Sequence, residues 1–354
     1  MDDHPAKSPD HLTIRVTRRD DPVSEVTEAD AFASVRKYPN IVVRGPLFGL
    51  AEQRRGERPR WRLLGELDTG FPQMARDELN SYLWNKAKDE ARDRAERRSL
   101  LEAVTLLETR PVNEVTAAGV RYRVVRADEF ARIGGGRLEP PRATDPDEDG
   151  WDLDAPETSR TTGFVIDHAA AVGLTEGMDR VGLLHLSYTA SRFPDDVRAD
   201  SQRALTTHPG VVLLPPTFRV VERNEQSWSM VTGQHATPQG ARRALVDHLT
   251  RPMPDLPDLP GMPELPEWMK VDEKEAAVNE RAAKKFTARR RPNELVVRGK
   301  RFDVVRVERV MRIGPDGPET PRPSDTDDYG PSQIHPRMDE HGTITYGSSA
   351  EASS

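Results

Sequence analysis

The 354-residue chain contains no cysteine. Disulfides, thiol nucleophiles and cysteine-ligated zinc or iron–sulfur sites are therefore excluded. No run approaches the ~20 apolar residues of a membrane span. The opening MDDHPAKSPDHL is acidic and polar, without an apolar core of signal-peptide length. A cytoplasmic protein with no membrane partner is expected. A basic excess is also missing, since the net charge is −7. A chain devoted wholly to nucleic acid usually shows the opposite balance.

Catalytic signatures are scarce. The nine histidines are scattered, with no HExxH and no paired spacing on one helix. No nucleophile elbow is present. GGGRLEP at 134–140 lacks the Lys and Ser/Thr of a phosphate loop, and prolines follow it where a helix should start. Asp145, Asp147, Asp149 and Gly150 open like a calcium loop. Asp152 then stands where an apolar residue belongs, Pro156 takes the closing position and Glu157 comes one place late. The corresponding Asp325–Gly330 stretch has Tyr329 at the third ligand position. Both read as acidic linker, so no metal and no cofactor is expected.

What the chain does have is itself, twice. Residues 113–150, NEVTAAGVRYRVVRADEFARIGGGRLEPPRATDPDEDG, align without gaps on 293–330, NELVVRGKRFDVVRVERVMRIGPDGPETPRPSDTDDYG, with 16 identities in 38 positions. Chance would give roughly two or three. Upstream, PNIVVRGPLF (39–48) matches PGVVLLPPTF (209–218), Trp61 matches Trp228, PQMARDELNSYL (72–83) matches PQGARRALVDHL (238–249), and EAD (28–30) meets RAD (198–200).

Each unit reads as α-β-β-α-β-hairpin. A short helix (Glu28–Lys37; Ala199–Thr207) leads into an apolar strand (Ile41–Leu50; Val211–Val221). A second strand begins at the tryptophan. The next helix has Thr237 and Pro238 as cap and first turn in the second unit. In the first unit Phe71 stands in place of the Thr, leaving Asp68, Thr69 or nothing as cap. Ala75, Leu79 and Leu83, like Ala241, Leu245 and Leu249, form a buried stripe. In the first unit the helix is expected to run on to about Thr109. The closing hairpins bend at Gly119 and Gly299, where positive φ favours glycine.

The second unit inserts PDLPDLPGMPELPEW, whose prolines recur with the three-residue period of polyproline II. It reads as a stiff strap at 252–267, the alternative being a ligand for a proline-binding domain. A charged helix, Glu273–Arg289, follows. The expected organisation is a disordered start (1–11), a first unit (12–134), an irregular acidic and Pro-rich connector (135–179), a second unit (180–330) and a disordered tail (331–354). The fold class is α+β, two tandem units about a pseudo-two-fold axis.

The features that invite a function are the repeated arginines. Alternation places Tyr122, Val124, Arg126, Asp128, Phe130 and Arg132 on one strand face, mirrored by Phe302, Val304, Arg306, Glu308, Val310 and Arg312. An acid between two arginines reads as a structural ion-pair ladder or as an anion site, because guanidinium forks suit phosphate and carboxylate. Arg126, Arg132, Arg306 and Arg312 are the candidate site for an anionic ligand or a protein partner. Basic clusters at Arg54, Arg55, Arg58, Arg60, Arg62 and at Arg289–Arg291, Arg298, Lys300, Arg301 read as solvated turns or a local nucleic-acid face.

VVRADEFARIG with EPPRATDPD, and VVRVERVMRIG with ETPRPSDTD, resemble an uncharacterised actinobacterial family recorded only as a domain of unknown function. The resemblance covers most of the chain and implies no activity, cofactor or site residue. The PE-PGRS label sometimes given to such proteins does not fit 24 glycines with no glycine-repeat array. The functional expectation is a non-catalytic binding or regulatory protein. The alternatives are an enzyme with its site between the units, and a weak nucleic-acid binder.

Overall fold

A computed structural model describes residues 13–17, 21–225, 227–251 and 273–346. Residues 1–11 and the strap at 252–267 lie outside the described residues. The architecture is mixed α+β. Among the described residues there are seven α-helices: α1 (Pro22–Lys37), α2 (Pro72–Asp89), α3 (Arg94–Thr109), α4 (Leu174–Leu183), α5 (Asp195–Thr207), α6 (Pro238–Thr250) and α7 (Glu273–Thr287). The strands of the first half are β1 (Asn40–Arg54), β2 (Trp61–Leu63), β3 (Glu114–Ala117), β4 (Val120–Gly134), β5 (Arg137–Leu138) and β6 (Val165–Ile166). Those of the second half are β7 (Gly210–Leu213), β8 (Thr217–Arg223), β9 (Trp228–Met230), β10 (Glu294–Val297), β11 (Lys300–Gly314), β12 (Gly317–Pro318), β13 (Arg337–Met338) and β14 (Ile344–Thr345).

Local chemistry sets the helix bounds. Asp21 accepts from the Ser24 N–H at 2.9 Å and starts α1 one and a half turns before Glu28, with Pro22 in its first turn. The single long helix expected to Thr109 is broken: α2 ends at Asp89, and Asp93 caps α3 by accepting from the Glu96 N–H at 2.8 Å. Thr237 caps α6 as expected, accepting from Gly240 N–H at 3.1 Å. Phe71 gives α2 no side-chain cap. That role falls to Asp327, more than 200 residues away, whose Oδ1 accepts from the Gln73 N–H at 2.5 Å.

One twelve-stranded sheet runs β6-β2-β1-β4-β11-β8-β9, with antiparallel pairing throughout this path. β3 and β5 extend β4; β7, β10 and β12 extend β11. The strand expected over Val211–Val221 is two, because Pro215 and Pro216 offer no N–H to a ladder. Both hairpins turn on residue pairs with positive φ, Ala118–Gly119 (49° and 77°) and Arg298–Gly299 (52° and 76°), the turn whose twist matches the flanking strands.

Helices α2 and α3 cover β1, β3 and β4 over a core containing Phe48, Leu79, Leu83, Leu100, Tyr122 and Val124. Helices α6 and α7 cover β8, β10 and β11 over Phe218, Leu245, Phe286, Phe302 and Val304. The expected tail from 331 is ordered through 346. Trp84 Nε1 donates to the Pro336 carbonyl at 3.1 Å, the Trp84 ring stacks on His335, and Met338 and Ile344 pack on the α2–α3 core. The 135–179 connector holds β5, β6 and the start of α4. Among the described residues no helix is long and apolar enough to cross a membrane.

Candidate functional site: two matched arginine clusters and one cavity

β4 and β11 meet antiparallel at three residue pairs, Phe130 with Glu308, Glu129 with Arg309, and Asp128 with Val310. In the sequence alignment Glu129 corresponds to Arg309, so each strand meets its own counterpart at the crossing. Beyond it the segment after each strand crosses to the other. The Arg126 N–H donates to the Glu319 carbonyl and the Arg306 N–H to the Glu139 carbonyl, both at 2.9 Å. All four candidate arginines are buried, and this geometry sorts them into two clusters, each with one arginine from each strand.

The first cluster holds Arg126 and Arg312. Arg126 donates through Nε to Asp325 and through Nη1 to Asp128, both at 2.9 Å. Arg322 grips Glu319 with two bonds, at 2.7 and 3.0 Å, and lies 3.9 Å from Asp128. Arg312 donates to the carbonyls of Leu184 and Leu186 at the end of α4. Tyr188 closes the cluster. Its hydroxyl donates to Asp128, its ring stacks on Phe193, and its N–H donates to Ser201 Oγ at 2.8 Å. No buried side-chain nitrogen or oxygen of these residues lacks a partner. Burial opposes charge on Arg126, yet Asp128, Asp325 and Glu319 outweigh it and hold the guanidinium's pKa well above its ordinary value. Burial likewise opposes ionisation of Asp128, and Arg126, Arg322 and the Tyr188 hydroxyl overcome it, so the carboxyl sits below its usual range.

The second cluster holds Arg306 and Arg132, and the aligned residues are the same in kind: Glu308 for Asp128, Glu139 for Glu319, Arg142 for Arg322, Asp145 for Asp325. Arg306 donates to Asp145 at 3.2 Å and pairs with Glu308. Arg142 reaches Glu139 through Nε alone, at 2.6 Å. Its Nη2 stands 3.7 Å from Glu308 Oε1, too far for a hydrogen bond. Arg132 donates to Asp179 of α4 at 2.7 Å. Here buried polar atoms are left over: Arg142 Nη2, Glu308 Oε2 and Arg132 Nε have no partner among the described residues. Burial depresses the Arg306 pKa, with Arg142 adding to the effect against Asp145. Burial also raises Asp179, although Arg132, Arg142 and Arg306 all pull it down.

Among the described residues no tyrosine closes this second cluster. A cavity of about 510 Å³ lies there instead, lined by Ala31 of α1, Arg142, Arg160, Phe164, Asp179, Val212, Leu214, Pro215, Arg306 and Glu308. Ala31 aligns with Ser201, the residue that anchors Tyr188 in the first cluster. Arg160 adds a further buried nitrogen without a partner, Nη1. A larger cavity of about 720 Å³ adjoins it between α1 and α4, sharing Glu28 and Val172, and is walled by Val16, Val23 and Leu174. None of its wall residues carries a buried orphan polar atom, so the smaller cavity is the better candidate.

The acidic sequence candidates are engaged within the fold, as are part of the basic ones, while Arg55, Arg58, Arg60, Arg290 and Arg301 are exposed. Asp147 pairs with Arg242 at 2.8 Å and accepts from the Gln239 N–H, mirroring Asp327 with Arg76 and Gln73. Asp145 is held by Arg306 and the Arg142 N–H. The calcium-like spacing thus serves arginines and helix N-termini. Among the described residues no group of three or more His, Asp or Glu is arranged to hold a metal. Of the basic clusters, Arg54 pairs with Glu52, Arg62 with Glu57, and Arg291 faces Asp147 and Asp149. Sequence reasoning did not single out Glu139, Arg142 and their counterparts, although they are identities of the aligned segment. Tyr188, Arg160 and Asp179 carry no such signal.

A family model described as a Family of unknown function (DUF5954) matches residues 21–328. No curated protein and no solved structure matches the chain.

Proposed function

We propose, for a chain that belongs to this family of unknown function, that it is a non-catalytic binding or regulatory protein built by internal duplication. Its site holds a small anionic ligand in the cavity beside Arg306. The duplication reading is two tandem α-β-β-α-β-hairpin units about a pseudo-two-fold axis through the Glu129–Arg309 pair. It is supported by the aligned identities and by the reciprocal bonds of Arg126 with Glu319 and Arg306 with Glu139.

One observation carries the binding reading. Two clusters of the same residue kinds differ in completion: one is closed by Tyr188 with every buried polar atom satisfied, and in the other Arg142 Nη2 and Glu308 Oε2, on residues that line a cavity, are buried without a partner among the described residues. A buried polar group without a partner costs ~1–3 kcal/mol, which a ligand supplying the partner recovers. The cavity volume falls within the range of small-molecule sites. The spare guanidinium nitrogens of Arg142 and Arg160 set the ligand's sign. Extended nucleic acid is a poor fit for these sites, because Arg126, Arg132, Arg306 and Arg312 are buried.

The test is thermal denaturation of wild type and Arg160→Ala against a panel of small carboxylates and phosphates. A ligand that raises the wild-type Tm and not that of the variant supports the site. Equal shifts in both, or none across the panel, contradict it. A second reading, an enzyme using the same cavity, draws on the raised Asp179 carboxyl on its wall. Turnover of a bound ligand that Asp179→Asn abolishes would favour it.

A further inference from the structure

The tyrosine that closes the first cluster indicates what belongs in the second. Resting on the cavity reading above, we infer that the ligand is a single-ring hydroxyaryl acid, a phenol bearing a carboxylate. The Tyr188 hydroxyl donates to Asp128, and burial with the neighbouring Asp128 charge pushes the phenol's pKa up, so it remains a donor. The aligned acceptor in the second cluster is Glu308, whose Oε2 is buried and unpartnered. Beside it the bare Arg142 Nη2 offers a donor to the same hydroxyl. With the Arg142 and Glu308 side chains turned toward the cavity, one phenol oxygen serves both atoms, donating to Glu308 and accepting from Arg142.

The ring has apolar walls to meet: Phe164, Val212, Leu214 and Pro215 line the cavity. No described residue fills that place, and Ala31 lacks the hydroxyl by which Ser201 anchors the Tyr188 backbone. Arg160 is the remaining unspent cation on the wall and takes the carboxylate. Asp179 and Glu176 pair with Arg132 and Arg180, while Glu28 accepts from Thr175 and Asp167, also on the wall, accepts from the Ala169 N–H.

Titration calorimetry with 4-hydroxybenzoate, benzoate, phenol and inorganic phosphate on the full chain tests this. The expected result is one-to-one binding of 4-hydroxybenzoate, with benzoate about tenfold or more weaker, because a site built to bond a hydroxyl rejects the analogue lacking it. Arg160→Ala should weaken 4-hydroxybenzoate and benzoate alike and leave phenol unchanged. No hydrogen bond or ion pair joins the Arg160 side chain to a described residue, so this variant should fold. Glu308→Gln should weaken 4-hydroxybenzoate and phenol and spare benzoate. Equal affinity for benzoate and 4-hydroxybenzoate, or phosphate binding as tightly as either, overturns the hydroxyaryl class. Sensitivity of those anions to Arg160→Ala would still uphold the cavity. Absence of heat with all four probes removes the hydroxyaryl acid, and anion shifts in the Tm panel that ignore Arg160→Ala remove the cavity as well.

Discussion

Replacing Tyr188 separates its two contributions to the closed cluster. Tyr188→Phe keeps the ring on Phe193 and removes only the hydroxyl that donates to Asp128. A hydrogen bond to a charged group contributes ~1.5–3 kcal/mol, and Asp128 keeps its bond to Arg126, so a loss of about 2 kcal/mol is expected. Tyr188→Ala also empties a site that is 5% exposed. Aromatic truncations in cores cost about 3–5 kcal/mol. Urea denaturation measures both, with an unchanged m-value as the check that the unfolded state is unaltered. In a cycle with Asp128→Asn, the two single losses should exceed the double by ~1 kcal/mol or more, since contacting groups do not add. Added phenol should restore part of the Tyr188→Ala loss by mass action and do nothing for Tyr188→Phe at the same site. A Tyr188→Phe variant within about 0.5 kcal/mol of wild type would refute the reasoning, because the hydroxyl would then be exchanging one good partner for another.

Further outcomes follow from the same geometry. Asp327→Ala should destabilise more than Asp147→Ala by ~1 kcal/mol, because α6 keeps the Thr237 cap while α2 has no side-chain cap of its own; parallel urea curves decide it. Arg160→Ala should stay within about 0.5 kcal/mol of wild type, whereas Arg126→Ala, which removes the guanidinium partner of the buried Asp128 and of Asp325, should cost about 3–5 kcal/mol. Asp128, buried, and Asp179, half-buried, give pH dependences of opposite sign. Asp128 is depressed in the fold, so its contribution is present above the ordinary carboxyl value of about 3.9 and is lost as pH falls through the folded value. Asp179 is raised, so stability declines as pH rises from about 3.9 through its folded value. Asp128→Asn should flatten the acid limb of a stability–pH profile, and Asp179→Asn should remove the decline above it. Gly119→Ala should cost ~1 kcal/mol, since φ is +77° there.

Much of this was legible in the residues because it is local. Period and spacing mark the Ala75–Leu79–Leu83 stripe, the Thr237 cap and the two hairpin glycines. The Asp93–Glu96 spacing was also a readable helix start, and its neglect produced one helix where there are two. The four arginines could be nominated but not sorted. Their grouping depends on how β4 crosses β11 and on the exchange of the segments around Glu139 and Glu319, which are long-range pairings with no sequence period. Asp327 acting as the cap of α2 is of the same kind. Tyr188, Arg160 and Asp179 lie outside the aligned stretches, so alignment had nothing to compare. The difference between the clusters rests on those residues, which is why it emerges only in three dimensions.

The most direct measurement is a crystal structure of the full chain grown with 4-hydroxybenzoate. The account predicts density for one ring in the cavity, its hydroxyl between Arg142 and Glu308 and its carboxylate on Arg160, with Tyr188 still bonded to Asp128. A cavity filled by the chain's own side chains, or a ring bound elsewhere with Arg142 and Glu308 bonded to each other, would contradict it.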